Sequence, residues 1–317
     1  HEKGMELLKS NSNYTYEVVE DLSVENVKQK IVDADAVSLR TSILPAEAIE
    51  NAKNLKIISR HGVGYDNIDL NICKKRKISV INTPDYGVDE VSDTAIGMIL
   101  NLVRRINAFQ ILAKTEPNYW LGKEINFETR RINTMSLGIV GLGRIGSSII
   151  KKFQSFSRKT SFFDPYIANG IEKVFESKRY YQLDELLQNS DIVSVNTPLT
   201  DETFGMINQS FINQMKKGSF LINVSRGPIV ENQELILDAL KNGQLNGYAT
   251  DVWETEPPNS SDKFINLWKE DDEIFSKVII NPHTAYFSQE ALKESRKKAC
   301  ESCLRFINGK NVGNKII

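Results

Sequence analysis

Short runs rich in β-branched and aromatic residues alternate with segments of helical period along almost the whole chain. This alternation restricts the fold more than any other feature of the sequence. The runs Tyr16–Val19, Ala36–Leu39, Lys56–Ser59 and Ile78–Ile81 occupy the first third. Leu137–Val140, Thr160–Phe163, Asp191–Val195, Phe220–Val224, Gly247–Thr250 and Val278–Ile280 follow. Several are continuously apolar, as strands covered on both faces of a parallel sheet are. Parallel neighbours need long crossovers, and the helical stretches supply them. The expected class is α/β, doubly wound, and 317 residues suffice for two domains, each with its own core.

Two longer helices read as hinges between the domains. From Val88 to Ile106, apolar residues recur at helical spacing (Val88, Val91, Ala95, Met98, Ile99, Leu102, Val103, Ile106). Ser288 is placed as the N-cap of a second helix, with Glu290 in its first turn, and that helix runs to Asn308 before Gly309 ends it. Pro257–Glu273, polar and with two prolines, reads as a surface loop.

Charge and cysteine usage exclude several classes. Lys+Arg number 40 and Asp+Glu 41, so no global field draws the protein to nucleic acid or an anionic membrane. No run of about 18 apolar residues is present. His1–Ser10 has no signal-peptide pattern, and the missing initiator Met points to a tag remnant or a trimmed beginning. Three cysteines do not build a disulfide framework, and Cys300 and Cys303 read as two ordinary helix thiols. A soluble, cytoplasmic protein with no metal site, no nucleic-acid partner and no membrane association is expected.

Gly141-Leu142-Gly143-Arg144-Ile145-Gly146 follows one apolar run and opens a helix. In such a loop the first glycine makes a tight turn, the second admits a pyrophosphate and the third lets helix and strand pack closely. The helix N-terminus adds amide donors and a favourable dipole. Asp164, 18 residues after Gly146, stands at the end of Thr160–Phe163, where a carboxylate binds ribose hydroxyls and repels a 2′-phosphate. These residues predict a dinucleotide domain that prefers NAD to NADP.

Three strand ends then deliver a cation, carboxylates and an imidazole: Arg226 after Phe220–Val224, Asp251 and Glu256 after Gly247–Thr250, and His283 after Val278–Ile280. Reduction of a 2-oxo acid needs these types. A fixed, planar cation holds a carboxylate and polarises a carbonyl. A proton donor that titrates near neutrality meets the developing alkoxide, and a neighbouring carboxylate orients that imidazole.

The set of motifs resembles the D-isomer-specific 2-hydroxyacid dehydrogenase family, most closely its C-terminal-binding-protein-like branch. The resemblance rests on Arg60-His61-Gly62-Val63-Gly64-Tyr65-Asp66-Asn67-Ile68-Asp69, the glycine motif with Phe163-Asp164-Pro165-Tyr166, Ser225-Arg226-Gly227, Asp251 to Pro257, and Pro282-His283-Thr284-Ala285. It implies that Arg226 binds and polarises the substrate, that His283 is the acid/base and that Glu256 pairs with it. Asp251 would hold the nicotinamide carboxamide, backbone amides around Val63 and Gly64 the substrate carboxylate, and Thr197 and Pro198 would line the adenine pocket.

The resemblance further implies a Rossmann NAD domain over 105–285 and a discontinuous, flavodoxin-like substrate domain of 1–104 with 286–317, closing around a small 2-oxo or 2-hydroxy acid. Relatives are commonly homodimers; the helix from Val88 suits either a dimer seam or simple core. Three departures stand out. Almost nothing precedes Met5-Glu6-Leu7-Leu8, where relatives have a strand and loop, so the chain is expected to begin after missing residues. Ala95 replaces a hydroxyl that touches the cofactor phosphate, and Tyr286 replaces a tryptophan that packs on substrate.

Arg60 and His61, with Tyr65, Tyr86 and Tyr286, suit either a larger or anionic substrate tail or a solvated rim. Two other functions fit the scaffold: an NAD-sensing corepressor with little turnover, and formate or phosphite oxidation. A lysine expected near the grip loop of phosphite oxidisers is absent.

Overall fold

The computed structural model describes residues 13–40, 42–115 and 129–317, with residues 6, 8, 9 and 120. Met5 and Leu7, which mark the expected start of the first domain, lie outside the described residues. The chain divides into two compact units, His1–Gly87 with Phe287–Ile317 and Val88–Tyr286.

The first unit holds three parallel strands, β1 (Ala36–Leu39), β2 (Ile57–Arg60) and β3 (Ser79–Ile81), in the order β1-β2-β3. The end of the chain seals the outer side of β3. Ile316 N donates to Val80 O, and Ile81 and Lys315 form an antiparallel bridge. Ile58, Val80, Ile49 and Ala48 are fully buried in the core of this unit. Tyr16–Val19, expected as a strand, is irregular backbone. Tyr16 and Val18 both point outward, at 40% and 53% exposure, so that side of the run has no sheet to cover.

Helix Gln289–Ile307 belongs to the same unit and starts as its sequence predicts. Ser288 Oγ accepts from Ala291 N at 2.9 Å, and Gly309 adopts φ 67° beyond its end. Cys303 is buried in this helix, and burial pushes its thiol up to about 12. All three cysteines are free.

The second unit is built on seven parallel strands: β4 (Leu137–Val140), β5 (Thr160–Phe163), β6 (Lys178–Tyr180), β7 (Ile192–Val195), β8 (Ser219–Asn223), β9 (Leu245–Thr250) and β10 (Val278–Ile280). Their order is β10-β9-β8-β7-β4-β5-β6. The winding reverses between β4 and β7, which puts a switch-point crevice at the carboxyl ends of those two strands. The pairs Val140↔Val195, Val195↔Asn223, Asn223↔Thr250 and Ile280↔Thr250 bring the carboxyl ends of β4, β7, β8, β9 and β10 into one line. β6 escapes a reading based on apolar runs because two of its three residues, Lys178 and Arg179, are basic. Charged residues on a short edge strand guard it against pairing with other chains.

Helix Val88–Arg104 packs Ala95, Ile99 and Leu102 into the same core as Leu137, Ile139, Ile222 and Ala249. For this reason the second unit begins with that 17-residue helix, where the sequence pattern places the boundary at its end. The helix also stops short of Ile106. Arg105 turns to φ 55°, and its buried guanidinium donates to Asn246 O at 3.0 Å and to the Asn246 side chain. The next helix, Ile106–Thr115, leaves at 56° with Ile106 half exposed. Among the described residues no single helix is long and apolar enough to cross a membrane.

Pro257–Glu273 is not a plain loop. It contains helix Lys263–Glu270 and the start of helix Asp272–Lys277. Asp262 caps the first, Oδ1 accepting from Ile265 N at 3.0 Å, and Phe264 and Ile265 bury its inner face. Asp271 caps the second through Glu273 N and Ile274 N. The two caps offset the polar composition that reads as loop.

Candidate active site

The loop after β4 is shaped by its glycines. Gly141 has φ 88°, and a Cβ there would lie 2.9 Å from Thr197 Cγ2. A Cβ on Gly146 would lie 2.3 Å from Gly141 O, so the helix Arg144–Phe153 can start this close to β4 only with glycine at that point. A Cβ on Gly143 would meet nothing within 4 Å, which leaves room for a ligand against the backbone. No side chain caps this helix, so the amides of its first turn stay available to an anion. Arg144 is exposed and Ile145 half-buried.

Asp164, at the end of β5, accepts from Leu142 N through Oδ2 and from Tyr166 N through Oδ1, both at 2.9 Å. The carboxylate thus ties the end of β5 to the glycine loop. Thr197 follows β7, its hydroxyl buried without a hydrogen-bond partner among the described residues, and Pro198 beside it is exposed. An open Gly143, an uncapped helix start, a strand-end carboxylate and an unpartnered hydroxyl fit the pyrophosphate and adenosine of a dinucleotide.

On the other side of the switch point, β8, β9 and β10 deliver the polar set. Arg226 begins a short 3-10 turn after β8, its carbonyl accepting from Asn223 Nδ2 at 3.0 Å while Nη1 donates to Ser225 O at 2.7 Å. Gly227 beside it touches the next loop; a Cβ there would lie 1.8 Å from Trp253 O. Glu256 Oε2 meets His283 Nδ1 at 2.6 Å, and Glu256 Oε1 accepts from Trp253 N at 2.9 Å. Burial pushes the Glu256 carboxyl up, but the His283 hydrogen bond, the Trp253 amide and the charges of His283 and Arg226 together hold it below its ordinary value. The Glu256–Pro257 peptide is cis.

His283 has φ 54°, an uncommon left-handed conformation for a non-glycine residue. Asp251 holds it there. Its Oδ1 accepts from both Thr284 N and Ala285 N at 2.9 Å, which fixes the backbone just past His283. The Tyr286 ring stands edge-on to the imidazole, centroids 6.3 Å apart. Among the described residues no group of three His, Cys, Asp and Glu side chains is arranged for a metal.

Residues 96–285 match the sequence model of the D-isomer specific 2-hydroxyacid dehydrogenase NAD binding domain. A glyoxylate reductase of Thermofilum pendens is 35% identical over 320 residues, covering 97% of this chain and 89% of that protein. The chain belongs to the D-isomer specific 2-hydroxyacid dehydrogenase family. Among solved structures, the D-lactate dehydrogenase of Aquifex aeolicus, in complex with NAD and lactic acid, is 29% identical, covers 98% of this chain and 94% of that one, and superposes with a TM-score of 0.80. The D-mandelate dehydrogenase of Rhodotorula graminis is 27% identical, covers 92% and 87%, and has a TM-score of 0.80. As a family member the protein is an NAD-dependent oxidoreductase acting on a CH–OH group.

The family's other motif, after β2, lies in the first unit. The Arg60 guanidinium turns back into its own loop, Nη1 donating to His61 O at 2.5 Å. Gly62 lies beneath it with φ 142°, and a Cβ there would fall 1.8 Å from that nitrogen. His61 bonds Ser38 Oγ at 2.6 Å, and burial first, then the charges of Arg60, Arg296 and Arg40, push its pKa down to about 4. His61 is thus a neutral loop support at neutral pH. Val63 is exposed, its carbonyl accepting from Asn82 Nδ2 at 2.7 Å, and Gly64 is half-buried. Ala95 is fully buried in the second unit's core.

Asn223, Gly227 and Trp253 hold the polar set in place; the motifs read from the sequence contain Gly227 and Trp253 but give neither a role, and do not include Asn223. The available signal was position: each stands within a few residues of a strand end that carries a reactive side chain.

Asp251 permits a pH test. Burial raises its pKa to about 6, against the lowering effect of the two amides and His283. Between its ordinary 3.8 and about 6 the folded protein binds a proton more tightly than the unfolded chain, so this group's contribution to stability falls as pH rises through that window. Asp251→Asn keeps an oxygen for Thr284 N and Ala285 N and removes the charge. Its stability relative to wild type should rise by about 2–3 kcal/mol from pH 4 to pH 7. Denaturant midpoints at a series of pH values measure this, and a flat difference would refute it.

Proposed function

We propose that the protein reduces a small 2-oxo acid to the D-2-hydroxy acid, with Arg226, Glu256 and His283 as the reactive set. The observation that carries this reading is the in-register delivery of Arg226, Glu256 and His283 from β8, β9 and β10, with His283 Nδ1 2.6 Å from Glu256. NAD, when bound as NADH, supplies the hydride. Arg226 pairs with the substrate and polarises its carbonyl through a planar, permanently charged fork. With Nδ1 committed to Glu256, Nε2 of His283 gives its proton to the new alkoxide oxygen, and Glu256 stabilises the imidazolium that waits for the reaction. Asp251, which holds the His283 loop, would also hold the nicotinamide carboxamide.

The Val88–Tyr286 unit is read as the cofactor domain and the other unit as the substrate domain. The intact Glu256–His283 pair favours turnover over a sensing role of the kind suggested by the likeness to the corepressor branch. A homodimer in the cytoplasm completes the reading, the three free thiols suiting a reducing compartment. Sedimentation at assay concentration tests the dimer.

The function is tested by NADH oxidation across 2-oxo acids of graded tail size, beginning with glyoxylate, pyruvate and phenylglyoxylate. Turnover with at least one is expected, and silence across the series with NADH bound would overturn the reading. Asp164→Ala is expected to raise NADPH affinity relative to NADH by about tenfold or more, since the carboxylate no longer repels a 2′-phosphate. Fluorescence titration with both cofactors measures this; an unchanged ratio would place the discriminating group elsewhere.

A further inference from the structure

Trp253 stands where three supports of the reactive set meet. Its amide N–H donates to Glu256 Oε1 at 2.9 Å, the oxygen that does not face His283. Its carbonyl abuts Gly227, the neighbour of Arg226. Its indole Nε1 donates to Asp262 Oδ2 at 2.8 Å, while Asp262 Oδ1 accepts from Ile265 N and starts helix Lys263–Glu270. The ring is 5% exposed and stands edge-on to Phe264, centroids 5.5 Å apart.

An amide can hold a carboxylate oxygen only while its peptide plane keeps its direction. The side chain of Trp253 fixes that direction at its far end. Phe264 supplies the packing, and Asp262 supplies the one polar contact that sets the rotation of the indole about its own axis. The anchor is rigid because the carboxylate that receives the indole also caps a helix whose inner face is buried.

We propose that Trp253 is a positioning residue for the Glu256–His283 pair and that Asp262 is its anchor, the two acting through the hydrogen bond between indole and carboxylate. This rests on the acid/base reading of His283 given above. Loosening the bond lets the Trp253 peptide rotate, which weakens the hold on Glu256 Oε1 and widens the range of angles at which the carboxylate meets the imidazole. The charged groups facing Glu256 are His283, Arg226 and Asp251, and all three stay in place when the indole N–H is removed.

The test uses Trp253→Phe and Asp262→Asn, singly and together, in the full chain. Phenylalanine keeps a ring against Phe264 and deletes the donor. Asparagine keeps an oxygen to cap Ile265 N, being as good a cap as aspartate, and turns its amide nitrogen to the indole. Each single change should lower kcat by about three- to tenfold, as expected for one hydrogen bond to a charged group, with NADH affinity by fluorescence within about twofold of wild type. The acid limb of the kcat profile should move to higher pH, because Glu256 is held less far below its ordinary value. The double variant should be no slower than the slower single, since both remove the same bond.

In the cofactor-free variants, the ring resonances of His283 should move from their wild-type positions. Only His1, His61 and His283 need assigning. Asp262→Ala, which also removes the cap, should lower the Tm as well, separating loss of fold from loss of position. Wild-type kcat and an unmoved acid limb in Trp253→Phe would overturn the proposal, as would losses that multiply in the double variant. Should the wild type turn over no 2-oxo acid, the acid/base reading fails by itself, and unmoved His283 resonances would then overturn the positioning role.

Discussion

Replacing His283 with alanine is expected to lower turnover by roughly two or more orders of magnitude while NADH affinity stays within about twofold. The imidazole lies just past β10, whereas the glycine loop, Asp164 and Thr197 stand at the ends of β4, β5 and β7. Its loss removes the group that gives a proton to the alkoxide and leaves Glu256 without its nearest partner. Burial then dominates the Glu256 environment, so that carboxyl should protonate at higher pH than in the wild type. Because residue 283 sits at φ 54°, His283→Asn is the better-tolerated second variant; asparagine occupies that region readily yet transfers no proton near neutrality. Both variants should be equally slow. Wild-type-like turnover in either would remove His283 from the mechanism.

Arg226→Lys is expected to lower kcat/KM by about a hundredfold or more, although the charge is kept. The backbone around Arg226 is fixed by Asn223 Nδ2 and by the close approach of Gly227 to Trp253, and Nη1 is held by Ser225 O. An ammonium on a flexible stem cannot keep that internal bond and also span two substrate oxygens. The pH profile separates charge from geometry. Arg226 helps to hold Glu256 below its ordinary value, so lysine should leave the acid limb where it is and Arg226→Ala should move it to higher pH. A lysine variant as fast as wild type would mean that Arg226 serves the site by charge alone.

Much of this site was legible because strand ends advertise themselves. β8, β9 and β10 are each followed within three residues by a charged or titratable side chain: Arg226, Asp251 and His283. Parallel pairing in register does the rest, so the order of the runs in the chain becomes a line of side chains in space. The glycine loop was legible for a related reason, since Gly141 and Gly146 answer steric demands of the turn and the helix start while Gly143 leaves open space.

What escaped was set by tertiary contact. Lys178–Tyr180 is a strand because it lies beside β5, not because its residues prefer to be one. Tyr16–Val19 has strand composition and, among the described residues, no strand that it pairs with. Pro257–Glu273 hides two helices because its capping residues, Asp262 and Asp271, look like loop composition until the buried Phe264, Ile265 and Ile274 are seen beside them. Val88–Arg104 could serve as hinge, seam or core by pattern, and only the structure shows Ala95, Ile99 and Leu102 packed with β4 and β8 residues. Arg60 and His61 suit either a substrate tail site or a rim by composition, and the bonds that Arg60 makes to His61 O and His61 to Ser38 are not legible in the sequence.

Hydride transfer with D stereochemistry is the property that decides what this site does. The direct measurement is a single turnover with NADH deuterated at C4 of the nicotinamide and an oxo acid that the enzyme accepts, followed by chiral separation and mass analysis of the product. A 2-hydroxy acid that is wholly the D isomer and carries deuterium at C2 is predicted. The L isomer, a racemate, or bound cofactor that transfers no deuterium would contradict it.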